Sequence, residues 1–252
     1  MKTNFYNKVA KKFGGYGFSN SQEKYFSEYP HGDPEEVFKK KLLDLATKKT
    51  KALDVGCGDC KFAFQIANHF QAITGIDTSE ELLKIAQIKQ EELKVKNITF
   101  TNEDASNTSF KNNSFELVFS RRGPTPYPEF KRLLKSGGHF VGIEIGEKDC
   151  QAIKEIFGRG QGYKKWDKSR LEIDKQKLID LGFEIVFAQD YFYSEYYASY
   201  YDLDLFLQGV PIFEDFDSEK DKQLLETYVG KSKTKKGIKL PRHRIVMVAK
   251  SI

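Results

Sequence analysis

Three observations predict an α/β fold with a mostly parallel sheet. A short apolar strand, Ala52-Leu53-Asp54-Val55, runs into the glycine turn Gly56-Cys57-Gly58 and then into a helical pattern. About twenty residues later a second apolar run, Ala72 to Ile76, closes on another acid, Asp77, the spacing at which strand-end carboxylates meet a bound nucleotide. Strand-length apolar runs then keep alternating with segments of helical period, which argues for strands covered by helices on both faces.

The elements follow in order along the chain. Phe13-Gly14-Gly15-Tyr16-Gly17-Phe18 is too rich in glycine for a regular element, and Tyr29-Pro30-His31-Gly32-Asp33-Pro34 reads as a turn into a helix from about Glu35. After the first strand, Phe62, Ile66 and Phe70 carry a helical spacing across 59–69. Ser79 with Glu80 and Glu81 offers a helix start, and Leu82, Leu83, Ile85, Ala86 and Leu93 continue it. A third strand precedes Thr101, Phe115 to Ser120 is the fourth, and Gly138 to Ile145 the fifth. Phe183 to Gln189 reads as a sixth strand and Arg244 to Ala249 as the last, with everything from Asp190 to Pro241 inserted between them.

A chain of 252 residues with 39% hydrophobic content fits one domain with an elaboration. No apolar run approaches the ~20 residues of a membrane helix, and the start of the chain lacks a signal-peptide core. Three cysteines make no disulfide framework, so a cytoplasmic location is the expectation. Cys57-Gly58-Asp59-Cys60 is formally C-x-x-C, but both thiols lie inside the glycine turn and the third cysteine is distant Cys150. They read as small packing residues, with no metal ligands expected.

The ligand class follows from the small residues. A dinucleotide turn needs a third glycine three places after Gly58, where Lys61 stands. A phosphate loop around Gly230-Lys231-Ser232 would need a glycine where Leu225 stands. What the turn does resemble is the first motif of the class I S-adenosylmethionine-dependent methyltransferases, with Asp54, Gly56 and Gly58 in the matching places and Cys60 where that family often has glycine. Thr101-Asn102-Glu103-Asp104-Ala105 and Leu133-Leu134-Lys135-Ser136-Gly137-Gly138 continue the resemblance in register, so that it covers about 50–145.

The resemblance implies a Rossmann-like sheet with an antiparallel last strand, S-adenosyl-L-methionine as cofactor, Asp77 on its ribose hydroxyls and Asp104 near its adenine amine. Asp54, Cys57, Thr78, Ala105 and Ser120 complete the implied cofactor set. It divides the chain into a covering segment, 1–50, and a methyltransferase domain, 51–252, that includes the insertion 190–241. Its short hairpin between the last strands is replaced here by that insertion, where substrate choice is expected to reside.

Acceptor chemistry is expected after the fourth strand, at Ser120-Arg121-Arg122-Gly123-Pro124-Thr125-Pro126-Tyr127-Pro128. Adjacent arginines should point to opposite sides of a strand, leaving one, with Arg121 as the candidate, to hold an anionic group. Tyr127, Glu144 and His31 are the candidate bases. The tyrosine-dense run Tyr191 to Tyr201 is either a lid stacking on a flat acceptor or the packing of the insertion onto the sheet. Gly123-Pro124-Thr125-Pro126-Tyr127 after the fourth strand does not match the signature of enzymes that methylate adenine amines, and no cysteine stands near this strand or the next for methylation of the cytosine ring carbon.

A small acceptor, possibly anionic or aromatic in character, is the leading expectation. RNA is the alternative, because the net charge is +5 and Lys231, Lys233, Lys235, Lys236, Lys239, Arg242 and Arg244 could track phosphates. A cofactor-binding protein without catalysis is the third class.

Overall fold

The computed structural model describes residues 2–17 and 22–252. Phe18, the last residue of the glycine-rich run, lies outside them. The chain opens with helix α1 (Lys2–Phe13), strand β1 (Tyr25–Glu28) and helix α2 (Pro34–Asp44). Asp33 caps α2 by accepting from the Glu35 backbone N–H at 2.9 Å, and Pro34 sits in the first turn, where its missing N–H costs nothing.

The alternating core follows: β2 (Lys51–Val55), α3 (Lys61–Ile66), β3 (Ala72–Asp77), α4 (Glu80–Leu93), β4 (Ile98–Asn102), β5 (Phe115–Arg121), α5 (Tyr127–Leu133) and β6 (Leu134–Ile145). The Ser79 hydroxyl accepts from Leu82 N–H at the start of α4, as its sequence predicts. Then come α6 (Gln151–Phe157), α7 (Arg170–Asp180), β7 (Phe183–Tyr197), α8 (Tyr200–Gly209), α9 (Lys222–Ser232), β8 (Lys233–Thr234) and β9 (Gly237–Ser251).

The sheet runs β1-β7-β9-β6-β5-β2-β3-β4, with β8 pairing β9. Strands β2 to β6 are parallel, while β9 is antiparallel to both β6 and β7. One face packs Phe38 and Leu42 of α2 and Ala63 and Ile66 of α3 on Phe119, Val141 and Ile143. The other packs Phe130 of α5 and Leu178 of α7 on Val118, Phe140 and Met247. Side-chain alternation along β6 therefore sends Phe140 and Glu144 toward α5 and α7.

Two expectations are corrected. The sixth strand does not stop at Gln189 but continues through Tyr197, and the last begins at Gly237, so the two pair from Phe183↔Ser251 to Tyr197↔Ile238. The insertion shrinks to 198–236. Its helices close a third apolar cluster around Tyr197, Phe206, Phe213 and Tyr228. Three tyrosines of the run pack on the amino-terminal segment: Tyr25 stacks on Tyr197, Phe26 on Tyr196 and Tyr29 approaches Tyr193, with ring centroids 5.2, 5.1 and 4.9 Å apart, while Tyr201 is exposed.

The basic run also divides. Lys231, Lys233, Lys235, Lys236 and Lys239 are exposed, but Arg242 and Arg244 are buried. Asp149 accepts from Arg242 Nε at 2.9 Å, from Arg244 Nη1 at 2.6 Å and from the His243 backbone N–H at 3.0 Å. Burial pushes its carboxyl up, yet the two arginines outweigh that and hold it far below the usual range. These arginines are a structural clamp and cannot track phosphates.

Candidate active site

The glycine turn is built by the end of β3. Gly56 and Cys57 both donate their backbone N–H to the Ile76 carbonyl, at 2.9 and 3.0 Å, and Gly58 N–H donates to Asp77 Oδ2 at 2.9 Å. Gly56 and Gly58 stand at φ +71° and +57°, a region that glycine enters without strain. Cys60 stands at φ +54° as the cap of α3, so the position where glycine was expected keeps the left-handed geometry with a buried thiol.

Asp77 Oδ1 accepts from Ser79 N–H at 2.8 Å, and burial raises its carboxyl pKa against hydrogen bonds from Ser79, Gly58 and Thr78. A carboxylate has about four acceptor sites, so one remains for a ligand hydroxyl beyond these three. Asn102 Nδ2 donates to the Asp77 carbonyl at 3.0 Å and ties the β4 end to the same rim. Beyond it Ala105 is buried, whereas Asp104 and Thr78 are exposed. Asp54 is buried at the end of β2, where desolvation lifts its carboxyl to about 7, Arg121 opposing and Asp77 adding.

The amino-terminal segment reaches this rim. Asn7 Oδ1 of α1 accepts from the Ser79 hydroxyl at 2.6 Å, and the Tyr16 Cβ lies 3.9 Å from where a Gly58 Cβ would stand.

The arginine pair departs from expectation. Arg121 Nε and Arg122 Nη1 both donate to Glu35 of α2, at 2.7 and 2.6 Å. They reach the same carboxylate because Arg122 lies at φ +63°, which ends the strand's alternation. Burial resists the Glu35 charge, but Arg122 and Arg121 hold its carboxyl below the usual range. Both arginines thus already face a carboxylate, and the anion-holding expectation for Arg121 loses its basis.

Beside this loop lies a cavity of about 690 Å³, bounded by 122–128, the end of β6, Trp166 and one side of α7 from Arg170 to Asp180. It brings together Arg122, Tyr127 and Glu144 of the expected residues; Arg121 and His31 are absent from its lining, and His31 is exposed on the turn before α2. No residue of 190–241 lines it either; the insertion backs its wall, where Gln161 N–H donates to the Ile212 carbonyl at 2.7 Å. Ser120 is buried behind the loop with its hydroxyl toward the Pro124 carbonyl.

Glu144 Oε2 accepts from Arg170 Nη2 at 3.2 Å, and Arg170 Nε donates to Asp174 Oδ2 at 3.2 Å. Burial raises the Glu144 carboxyl to about 8, with Arg170 opposing and Asp174 adding. The Tyr127 phenol is likewise raised by burial, then by Glu144 and Asp174. The sequence reading missed Arg170, Asp174 and Glu35. Arg170 and Asp174 stand four apart in a helix that Ser169 caps, a legible pair; Glu35 carries no mark of partners 86 and 87 residues away.

The cavity and the glycine turn share one wall. A Cβ on Gly56 would stand 3.0 Å from Pro124 Cδ and 3.2 Å from Gly123 Cα, and both those residues line the cavity. The sequence pattern of the methyltransferase-domain family matches residues 46–176. The chain belongs to the methyltransferase-domain family. Its cofactor is S-adenosylmethionine, and the residues present fit it: two left-handed glycines open a turn beside a carboxylate with an acceptor site to spare.

Demethylmenaquinone methyltransferase of Staphylococcus epidermidis is 29% identical over 154 residues, 56% of this chain and 63% of that one. This methyltransferase-domain chain therefore spans under two thirds of the length of the curated relatives it matches. A protein of unknown function from Deinococcus radiodurans R1 shares the fold at TM-score 0.65 and 19% identity, over 98% of this chain and 99% of the other. The [4+2]-cyclase SpnF shares it at 0.61 and 17%, over 98% and 94%. Among the described residues no helix is long and apolar enough to cross a membrane.

Proposed function

We propose that this methyltransferase acts on a small molecule held in the cavity between the β5 loop, β6 and α7. The observation that carries the reading is the shared wall: Gly123 and Pro124 touch the glycine turn on one side and bound the cavity on the other. The cofactor supplies an activated methyl group; the chain supplies position and a dry site. Asp77 would take the ribose hydroxyls, with Thr78 beside it, and Gly56, Cys57 and Gly58 would cradle the ligand. Asp104 and Ala105 would flank the adenine, and Asp54 and Ser120 the methionine end.

A small acceptor is supported by the cavity's size and by the Staphylococcus epidermidis relative, which is named for demethylmenaquinone. RNA gains no such support, since the exposed lysines of 231–239 contribute nothing to the cavity lining. Hydrogen bonds to a charged group contribute about 1.5 to 3 kcal/mol each, so Asp77→Ala is expected to weaken cofactor binding at least about tenfold. Calorimetry with unchanged affinity would remove Asp77 from the site. Labelled-methyl transfer into the small-molecule fraction of a cell extract, against its RNA and protein fractions, tests the acceptor class; label in RNA alone would overturn it.

A further inference from the structure

Inside the cavity one buried carboxylate oxygen lacks a hydrogen bond. Glu144 Oε1 has no partner, although Oε2 of the same carboxyl is held by Arg170, while the Tyr127 hydroxyl nearby is engaged by Thr125. An unmatched buried acceptor is costly, and a cavity that carries one is built to receive a hydrogen-bond donor. Gly142 makes room for the Phe140 ring that packs beside this carboxyl, since a Cβ there would stand 2.5 Å from Phe140 Cζ and 3.2 Å from Glu144 Oε1.

The surroundings select the ligand. Trp166, Pro124 and Pro126 supply flat apolar wall, with the Arg170 guanidinium 5.6 Å over the Trp166 ring. The lining mixes both signs, with Lys154, Lys165, Arg170 and Lys177 among Glu144, Glu147, Asp174 and Asp180, so it favours no net charge on the acceptor. A neutral aromatic ring bearing an acidic hydroxyl suits that wall and supplies the donor that Glu144 Oε1 lacks.

We propose that the cavity takes a phenolic acceptor and that Glu144 Oε1 receives its proton, an inference that rests on the methyltransferase reading above. The phenol oxygen bonds to the methyl carbon, the carbon–sulfur bond of the donor breaks with its electron pair left on sulfur, and the phenolic proton passes to Glu144. Arg170 and Asp174 from α7 and Tyr127 from α5 face this carboxyl, and Glu147, Lys154, Lys165, Lys177 and Asp180 line the same cavity, Lys177 pairing with Asp174; Arg122 is neutralised by Glu35. Because burial raises the carboxyl to about 8, its proton-accepting form grows as pH rises through that value.

The test is calorimetry of 2-naphthol and of its methyl ether on the full chain between pH 6 and pH 9.5. Naphthol is expected to bind about fivefold or more tighter above pH 8 than at pH 6, because a charged acceptor makes the stronger hydrogen bond. The ether, with no hydroxyl to donate, should show no such rise. Glu144→Gln should flatten the naphthol profile, and Asp174→Asn, which removes a like charge and leaves Glu144 intact, should move its midpoint below 8. Equal, pH-independent binding of naphthol and ether, or an unchanged profile in Glu144→Gln, overturns the proposal. Cofactor calorimetry on the same samples separates the two readings: failure of the unaltered chain to bind S-adenosylmethionine sinks the underlying reading, whereas normal cofactor binding with a flat naphthol profile sinks only the phenol.

Discussion

Asp54 shows how a single buried acid can burden the fold for the sake of a site. Its folded-state pKa of about 7 stands above the ordinary 3.8, with burial as the main cause. Between those values the folded chain holds a proton that the unfolded chain has lost, so stability is full below about pH 4 and falls as pH rises through 7. Asp54→Asn is therefore expected to raise stability at pH 8 by at least about 1 kcal/mol, or about 2–4 °C in Tm, and to remove part of the slope between pH 4 and 7. A melting curve unchanged at both pH values would show that Asp54 is ionised and compensated. Asp54, Gly56, Gly58 and Asp77 were legible because their partners lie in one strand–turn–helix unit. Glu35 was not, because only the tertiary fold brings α2 onto the end of β5.

At the scale of elements, the parallel strands were readable because strands buried on both faces are written as apolar runs. The extensions of β7 and β9 were not. Four of the five rings from Tyr191 to Tyr197 carry a hydroxyl, and Arg242-His243-Arg244 looks like a solvated surface until Asp149 and Glu195 are seen opposite. Asp149 holds this ribbon to the loop before α6, and removing one partner of a buried ionic cluster leaves charge uncompensated. Asp149→Asn should cost about 3–5 kcal/mol in urea unfolding. Its depressed pKa gives the opposite pH sign to Asp54: the stabilisation is present above about pH 4 and drains as pH falls below it. A loss under about 1 kcal/mol would show that the arginines find other partners.

Across the whole molecule, α1 links the cofactor rim to the insertion. Asn7 holds Ser79 at the head of α4, and Lys12 donates to Gln208 of α8. Ser79 also donates its backbone N–H to Asp77, so a ligand that fixes Asp77 fixes the residue on which α1 is seated. We propose that α1 covers the bound cofactor and is ordered by it. Saturation at about 100 times Kd adds about 2.7 kcal/mol to the bound state, and residues 5–13 should share in it as slower amide exchange. Asn7→Ala, losing one hydrogen bond of about 1 kcal/mol, should weaken cofactor binding about fivefold and reduce that protection. Exchange in α1 that ignores the cofactor, together with unchanged affinity in Asn7→Ala, would make α1 a fixed packing helix, because a cover that binding does not order contributes nothing to binding.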